Sequence, residues 1–243
     1  MGFLKEKYTR EYFIGLSQGG VPTSYGALGA DEWRAGGIFR EIKAPIDSVD
    51  LSGARVLEIG YGRGESARYM FKEKGIAEYL GVDFSEDAFQ LARETLADIA
   101  PEACRLEIGD ALDFLRAAHF DSRFDVTFML DTIEHIPRYE VDELLPLVLR
   151  ALKTGGFLIV DTPFYSVDED YISQGYEYVA PSASDIHPAT RGMHCNKFTR
   201  KRILLEMGRA GFKILGDKTF RKPRLPKVQK AINWIALERR AGT

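Results

Sequence analysis

The sequence lacks the features that mark several broad classes of protein. Two cysteines in 243 residues, Cys104 and Cys195, give no disulfide framework, which suits a reducing compartment. No stretch approaches a membrane span, and the first ten residues hold no apolar signal core. A net charge of -3 argues against a general nucleic-acid binder. We therefore expect a cytoplasmic protein, without a membrane partner and with nucleic acid disfavoured.

The most informative glycine-rich stretch is residues 55–70, which read RVLEIGYGRGESARYM. A short apolar run predicts a buried parallel strand, and Gly60, Gly62 and Gly64 follow it at alternate positions. Residues 65–74 then suit a helix. Strand, glycine turn and helix form the start of a nucleotide-binding βαβ unit, in which bare backbone and a helix amino terminus face the ligand.

The glycine spacing narrows the choice of ligand. A dinucleotide fingerprint has its third glycine at the sixth position, where this chain has Glu65, while the extra glycine is Gly64. This spacing disfavours an NAD-linked oxidoreductase. A glycine-rich surface loop would explain neither the preceding apolar run nor Glu58, two residues before the first glycine.

Strands and helices alternate from residue 51 onward, which predicts a parallel sheet covered on both faces with its ligand at the carboxyl ends of the strands. After the first strand we predict strands at 79–83, 105–108, 124–130, 157–161, 212–216 and 232–238, and helices at 85–99, 139–153 and 199–210. Residues 49–243 should form one globular domain. Residues 1–48 are rich in glycine and tyrosine and form either a packing arm or a lid over the site.

Two carboxylates are predicted at strand ends. Asp83 ends the second strand and can accept both hydroxyls of a ribose. Asp110 ends the third strand and can accept the amine of an adenine, although it can equally cap the following helix. With the glycine loop they indicate a nucleoside cofactor, without choosing between S-adenosylmethionine (SAM) and NAD.

The pattern E-x-G-x-G-x-G that begins at Glu58 resembles motif I of the class I SAM-dependent methyltransferases. The segments FDVTFMLDTIEHI, LKTGGFLIVDTP and KFTRKRILLEMGRAGFKIL are similar to later parts of the same family, in the same order. The resemblance covers residues 51–238. It implies an α/β, Rossmann-like, doubly wound sheet of seven strands in the order 3-2-1-4-5-7-6, with strand seven antiparallel.

The resemblance also implies a set of cofactor contacts. Gly60 and Gly62 would lie under the methionine part of SAM, and Asp83 would hold its ribose. Asp110 and Ala111 would border the adenine. The backbone of Leu130 would lie beside the methionine amino group. The complete predicted cofactor set is Glu58, Gly60, Gly62, Gly64, Asp83, Phe84, Asp110, Ala111 and Leu130.

Candidate catalytic residues follow the fourth strand. Methyl transfer requires an aligned nucleophile and, for a hydroxyl, a group that takes its proton. His135 is the first candidate, and Asp131, Glu134, Asp161 and Tyr61 are weaker ones. Asp131, Glu134 and His135 stand at spacings i, i+3 and i+4, so a helical turn there would place all three on one face. A histidine at this place can instead be a packing residue.

A metal site is the second possibility for these side chains. D-x-x-E-H followed by H-x-x-K-F is similar to the ubiquinone-pathway O-methyltransferases, and the related E-x-x-E-H form to small-RNA 2′-O-methyltransferases. Those families associate such groups with a divalent metal. The resemblance thus implies that Asp131, Glu134, His135 and His194 hold one divalent ion, although Asp131 is one methylene shorter than the family's glutamate. Alternatively, Glu134 and His135 brace the loop and His194 caps the next helix.

The functional prediction is a SAM-dependent methyltransferase that acts on a small molecule such as a natural product, sugar or quinone-like metabolite. The favoured acceptor atom is a hydroxyl oxygen, and a homodimer is compatible with the sequence. One alternative is an RNA-end 2′-O-methyltransferase that uses the basic residues at 218–230. Another is a SAM-binding protein without catalysis. The long connection at 164–197 is expected to cover the substrate.

Overall fold

The computed structural model describes residues 8–15, 40–165, 169–170, 194–220 and 229–239. The predicted lid aromatics between residues 16 and 39, most of the predicted substrate cover and most of the basic segment lie outside these residues.

Seven helices are described, of which the first two precede the sheet and the other five lie between its strands in the chain. They are α1 Arg10–Phe13, α2 Arg40–Asp47, α3 Glu65–Tyr69, α4 Glu86–Thr95, α5 Ala111–Ala118, α6 Arg138–Ala151 and α7 Arg200–Arg209. A π-helical turn at Met70–Lys74 continues α3, and a 3-10 turn covers Ile133–His135. Within the part of the chain that the structure describes, no helix has the length and apolar character needed to cross a membrane.

Seven of the nine described strands form one mixed sheet. The strands are β1 Arg55–Ile59, β2 Glu78–Asp83, β3 Cys104–Ile108, β4 Phe124–Leu130, β5 Leu152–Tyr165, β6 Glu169–Asp170, β7 Asn196–Lys197, β8 Phe212–Phe220 and β9 Gln229–Arg239. The order is β3-β2-β1-β4-β5-β9-β8, while β6 and β7 pair separately. The first five strands are parallel, and β9 runs antiparallel to both β5 and β8. Because β8 and β9 are the sixth and seventh strands of this sheet, the predicted order and the antiparallel seventh strand are confirmed.

The two faces of the sheet bury separate apolar layers. In β1, Leu57 and Ile59 contribute to the layer that contains Leu144 and Leu145 of α6. Val56 contributes to the opposite layer, with Leu91 of α4. This two-sided burial explains the continuous apolar run at β1, because a parallel strand covered on both faces needs apolar side chains in both directions.

The observed helix starts match the predicted starts more closely than the observed ends of helices and strands match the predicted ends. Ser85 caps α4 by accepting a hydrogen bond from the Ala88 N–H at 3.2 Å, and Thr199 caps α7 in the same way from Arg202 at 3.1 Å. The predicted helix at 85–99 ends earlier, at Thr95. The predicted strand at 157–161 is longer on both sides, because β4 pairs with it at Leu152 and β9 pairs with it as far as Tyr165.

Candidate active site

The carboxyl ends of β1, β2 and β4 border an open cleft of about 580 Å³. Eight predicted site residues line it: Gly60, Gly62, Asp83, Phe84, Ala111, Leu130, Asp131 and His135. A second cavity of about 400 Å³ shares four of these residues with the cleft and includes Glu58. The structure therefore brings most of the predicted cofactor set to one edge of the sheet.

The glycine loop lies so close to its neighbours that a side chain would not fit at Gly60. Gly60 has a φ of 80°, and a Cβ built on it would lie 2.4 Å from Oγ1 of Thr132. Gly64 has a φ of 82° and immediately precedes α3. The positive φ values and the missing side chain let the loop turn sharply and leave its backbone open to a ligand.

Asp83 links the glycine loop to the end of β2. Its Oδ2 accepts a hydrogen bond from the Gly62 N–H at 2.9 Å, and its Oδ1 accepts one from the Ser85 N–H at 2.9 Å. Burial raises the pKa of Asp83 to about 6. The carboxylate is thus placed at the strand end where a ribose would be held.

Glu58 lies beneath the loop and is 1% exposed. Its carboxylate accepts hydrogen bonds from the Ser66 hydroxyl at 2.7 Å and from the Tyr79 hydroxyl at 2.5 Å. Burial raises the pKa of Glu58 to about 7. These contacts indicate that Glu58 braces the strand-to-helix turn as well as lining the second cavity.

Asp110 adopts the capping role that the sequence left open. Its Oδ1 accepts hydrogen bonds from the N–H groups of Leu112 at 2.9 Å and Asp113 at 3.4 Å, at the start of α5. The adjacent residues Gly109 and Ala111 line the cleft. The cap therefore fixes the backbone at the predicted adenine edge.

Residues 8–15 form an arm that closes one side of the cleft, where Tyr8, Tyr12 and Phe13 line it. The Ser85 hydroxyl donates to the carbonyl of Tyr8 at 2.8 Å, and the Arg10 N–H donates to Asp87 at 2.9 Å. The two anchoring residues, Ser85 and Asp87, closely follow Asp83 in the chain. The arm is thus attached to the same segment that carries the predicted ribose contact.

Tyr8 also contacts the first catalytic candidate. Its hydroxyl lies 2.6 Å from Nδ1 of His135, in a buried hydrogen bond. Its ring packs edge-on against Phe84 with the centroids 4.9 Å apart. When Nδ1 carries the imidazole proton and donates it to the Tyr8 oxygen, Nε2 of His135 is left with a lone pair.

Buried polar groups continue beyond His135. Oε2 of Glu134 accepts a hydrogen bond from the Thr162 hydroxyl at 2.9 Å, and burial, with a smaller effect of Asp131, holds the pKa of Glu134 well above its usual range. Nδ1 of His194 lies 2.9 Å from the Tyr165 hydroxyl. Burial, followed by the nearby His135, holds the pKa of the His194 imidazole well below its usual range.

The segment that carries His194 is fixed against the turn after β4. The Cys195 N–H donates to the carbonyl of Glu134 at 2.7 Å, and its thiol contacts the carbonyl of His135 at 3.1 Å. Since Thr199 caps α7, His194 is not the cap of that helix. Its ring instead packs edge-to-face with the His135 ring, with the centroids 4.7 Å apart.

Three of the four predicted metal ligands converge. Glu134, His135 and His194 each offer a ligand atom within 4.8 Å of the others, whereas Asp131 does not belong to this group. Asp131 has a φ of 48°, and the 3-10 turn begins only at Ile133. The backbone thus changes direction at Asp131, so the helical spacing assumed from the sequence does not apply there, and its exposed side chain lines the cleft instead.

Several site residues were missed at the sequence level. Thr162 lies in the part of β5 beyond the predicted strand end, and Tyr165, which falls in the predicted substrate cover, was not expected to contact His194. Arg63, inside the glycine loop, donates from Nη1 to the carbonyl of Phe13 at 2.9 Å. Tyr8 is one of the tyrosines of the arm, and the sequence assigns it no role of its own. A longer fifth strand would have pointed to Thr162 and Tyr165, but no local signal pairs Tyr8 with His135.

Comparison with known proteins identifies the family. A family model described as a methyltransferase domain matches residues 31–216, which is most of the chain. A solved SAM-dependent methyltransferase from Mesorhizobium loti has a similar fold, with a TM-score of 0.59 and 20% sequence identity over 87% of this chain and 99% of that one.

Two relatives share more sequence over a shorter length. Phosphoethanolamine N-methyltransferase 2 of Caenorhabditis elegans is 32% identical over 108 residues, which cover 44% of this chain and 23% of that protein. The fatty-acid O-methyltransferase of Mycolicibacterium smegmatis is 33% identical over 123 residues, which cover 50% and 42%. The match thus spans less than half the length of either relative.

Proposed function

The chain belongs to the class I SAM-dependent methyltransferases, and on this premise we propose that it transfers a methyl group from SAM to a hydroxyl oxygen of a small molecule. The described residues fit this cofactor. The glycine loop offers bare backbone, and Asp83 supplies two carboxylate oxygens at the end of β2. SAM brings a methyl group already activated on a sulfonium, so the protein must orient the acceptor and manage its proton.

One observation carries the preference for a hydroxyl acceptor, namely the hydrogen bond between Tyr8 and Nδ1 of His135 at the edge of the cleft. A hydroxyl must lose its proton as it is methylated. His135 can take that proton on Nε2 when the oxygen of Tyr8 accepts the Nδ1 proton. Oε1 of Glu134 lies 3.9 Å from the same Nε2, so its carboxyl group is close enough to stabilise the protonated ring.

The direct test is to identify a methylated product from a panel of small hydroxyl, amine and carboxyl compounds. We expect a product from a hydroxyl compound. Replacing His135 with Asn should lower kcat by about 100-fold or more while SAM affinity stays within about twofold. The matched control is His119→Asn, because His119 is exposed and ends α5 away from the cleft. Methylation at an amine with an unchanged rate in the His135 variant would contradict the proposal.

We propose, as a second candidate role for the same side chains, that Glu134, His135 and His194 hold one divalent ion. The convergence of their ligand atoms within 4.8 Å supports this role. Tyrosine hydroxyls engage Nδ1 of both imidazoles, so Nε2 is the ligand atom that each ring offers. A mixed carboxylate and imidazole set suits Mn, Fe, Co, Ni or Zn, and such an ion would lower the pKa of an acceptor hydroxyl.

The other expectations stay predictions. We keep residues 1–48 as an arm and 49–243 as one domain, with a cytoplasmic location and a homodimer still to be tested. An RNA-end substrate would require the basic segment to bind RNA, whereas a SAM-binding protein without catalysis would bind SAM and give no product from any acceptor. Product analysis with RNA and small molecules side by side separates these alternatives.

A further inference from the structure

The sheet ends at β8, and this edge is exposed. Within the described part of the chain, β8 pairs with β9 on one side and with no strand on the other. Ile214 and Leu215, which are consecutive in β8, are 40% and 46% exposed. Because a long edge strand with apolar side chains is a template for further strand pairing, β8 offers both backbone groups and apolar surface to a partner.

The helix beside this edge adds to the same surface. Ile203 and Met207 of α7 share a buried apolar layer with Phe212 of β8. Leu205, on the same helix, is 44% exposed. Of the five large apolar side chains that are exposed among the described residues, three therefore belong to β8 or α7. Such a concentration of apolar side chains is typical of an interaction surface, whereas single exposed side chains are not.

The charges of β8 are arranged symmetrically about Leu215. Lys213 lies two residues before it, and Asp217 lies two residues after it. When two copies of β8 pair antiparallel around a two-fold axis at Leu215, Lys213 of each copy lies opposite Asp217 of the other. Opposite charges that face each other across two strands stabilise the pairing. The strand is therefore complementary in charge to a second copy of itself.

The space along the edge fits the same arrangement. The pairing about Leu215 places Ile214 of one copy opposite Gly216 of the other. A Cβ built on Gly216 would meet no heavy atom of the described residues within 4 Å, apart from its chain neighbours, so there is room for the facing isoleucine. The register with β9 shifts between Ile214 and Gly216, so Leu215 has no described residue of β9 directly opposite it.

We propose that the protein forms a homodimer in which two copies of β8 pair antiparallel about Leu215 and join the two sheets into one. The two-fold axis stands perpendicular to the joined sheet, because the paired strands run in opposite directions. The two copies of α7 then lie on the same face, and the two clefts open at opposite ends of the dimer. Each protomer keeps its whole cleft, and the inference does not depend on the proposed function.

Sedimentation velocity of the full chain between about 1 and about 200 µM measures the association. Wild type should convert from monomer to dimer as its concentration rises. Leu215→Lys places two like charges across the two-fold axis, so it should weaken the association by about tenfold or more. The matched control is Ile108→Lys, because Ile108 is an exposed apolar residue on β3 at the opposite edge of the sheet. The control should associate as wild type does.

Exchange of charges between two variants tests the register. Lys213→Glu and Asp217→Lys each place like charges opposite one another in their own homodimer, so each alone should associate about tenfold or more weakly than wild type. An equimolar mixture has an opposite-charge pair at both contacts and should recover most of the wild-type association. Each change also places a like charge beside Glu238 or Arg200 of its own chain. That effect persists in the mixture, so recovery reports pairing between chains.

A wild-type monomer throughout this concentration range would overturn the inference. A dimer that Leu215→Lys leaves unchanged would also overturn it, because the association would then use another surface. An equimolar mixture that associates no better than its two components would show that Lys213 and Asp217 do not face each other across the axis, which is equally incompatible with the proposed pairing. Should Leu215→Lys not fold, the mixture decides the matter.

Discussion

The hydroxyl of Tyr8 and Nδ1 of His135 lie 2.6 Å apart, although the two residues are 127 positions apart in the chain. The contact is buried and joins the arm to the turn that follows β4. The arm therefore does more than cover the cleft, because it supplies the hydrogen bond that sets the orientation of the candidate base.

We expect Tyr8→Phe to lower kcat by about tenfold or more while leaving SAM affinity nearly unchanged, because it removes one hydroxyl and keeps the ring against Phe84. Tyr69→Phe is the control, since its hydroxyl bonds to Asp47 on the surface. Steady-state kinetics and calorimetry check both. A fall in SAM affinity without a fall in kcat would mean that Tyr8 only holds the arm in place.

Asp83→Asn should weaken SAM binding by at least about tenfold, because a charged acceptor for the ribose hydroxyls is lost. Since burial raises the pKa of Asp83 to about 6, wild-type affinity should also fall as the pH is lowered through that value. Calorimetry with SAM and with NAD measures both effects, with the exposed Asp113→Asn as control. Tight NAD binding without SAM binding would contradict the cofactor assignment.

Glu58 should make the folded state less stable as the pH rises. Burial raises the pKa of Glu58 from 4.5 to about 7, so the folded state keeps a proton that the unfolded state releases within this window. At about 1.4 kcal/mol per pH unit, the free energy of unfolding should fall by up to about 3 kcal/mol across it.

Urea unfolding of wild type and Glu58→Gln at about pH 5 and about pH 8 measures this loss. The variant should lack the Glu58 part of the pH dependence, while Glu86→Gln on the exposed face of α4 should keep it. An identical pH dependence in the Glu58 variant would show that Glu58 is ionised in the folded and the unfolded state across this pH range.

We expect substitutions at the proposed metal site to weaken the binding of a divalent ion. Wild-type protein should bind one Mn²⁺ or Zn²⁺ ion, and Glu134→Gln or His194→Asn should each weaken that binding by about tenfold or more. His119→Asn, at an exposed histidine, should bind as wild type does. Metal titration by calorimetry gives the stoichiometry and affinity. Equal binding by all variants would place the ion elsewhere.

The sheet could be predicted because its signals are local. β4 was predicted at residues 124–130 and is found at Phe124–Leu130, since an apolar run bounded by polar residues defines a buried strand. β5 was predicted too short, because residues 162–165 owe their strand conformation to pairing with β9, about seventy residues later in the chain. Such pairing leaves no local trace.

Local and long-range signals also divide the site into residues that the sequence places and residues that it does not. Gly60, Gly62 and Asp83 stand directly at strand ends, where the sequence pattern places them. The partners on the other side are distant in sequence, as Thr162 is from Glu134 and Arg63 is from Phe13. Asp131 was misplaced because its left-handed backbone, uncommon for residues other than glycine, has no reliable signature in the sequence.

The length of β5 has a consequence for how ligands enter and leave. Thr162 and Tyr165, which hold Glu134 and His194, lie on a strand paired with β9 through both positions. Displacing that wall would require separating two neighbouring strands of the sheet. The arm at residues 8–15 borders the same cleft and is attached by side-chain contacts, with hydrogen bonds between Tyr8 and both Ser85 and His135, between Arg10 and both Asp87 and Glu94, and between Phe13 and Arg63. Moving the arm breaks these side-chain contacts but leaves the sheet intact, so we expect substrate and product to pass on the arm side.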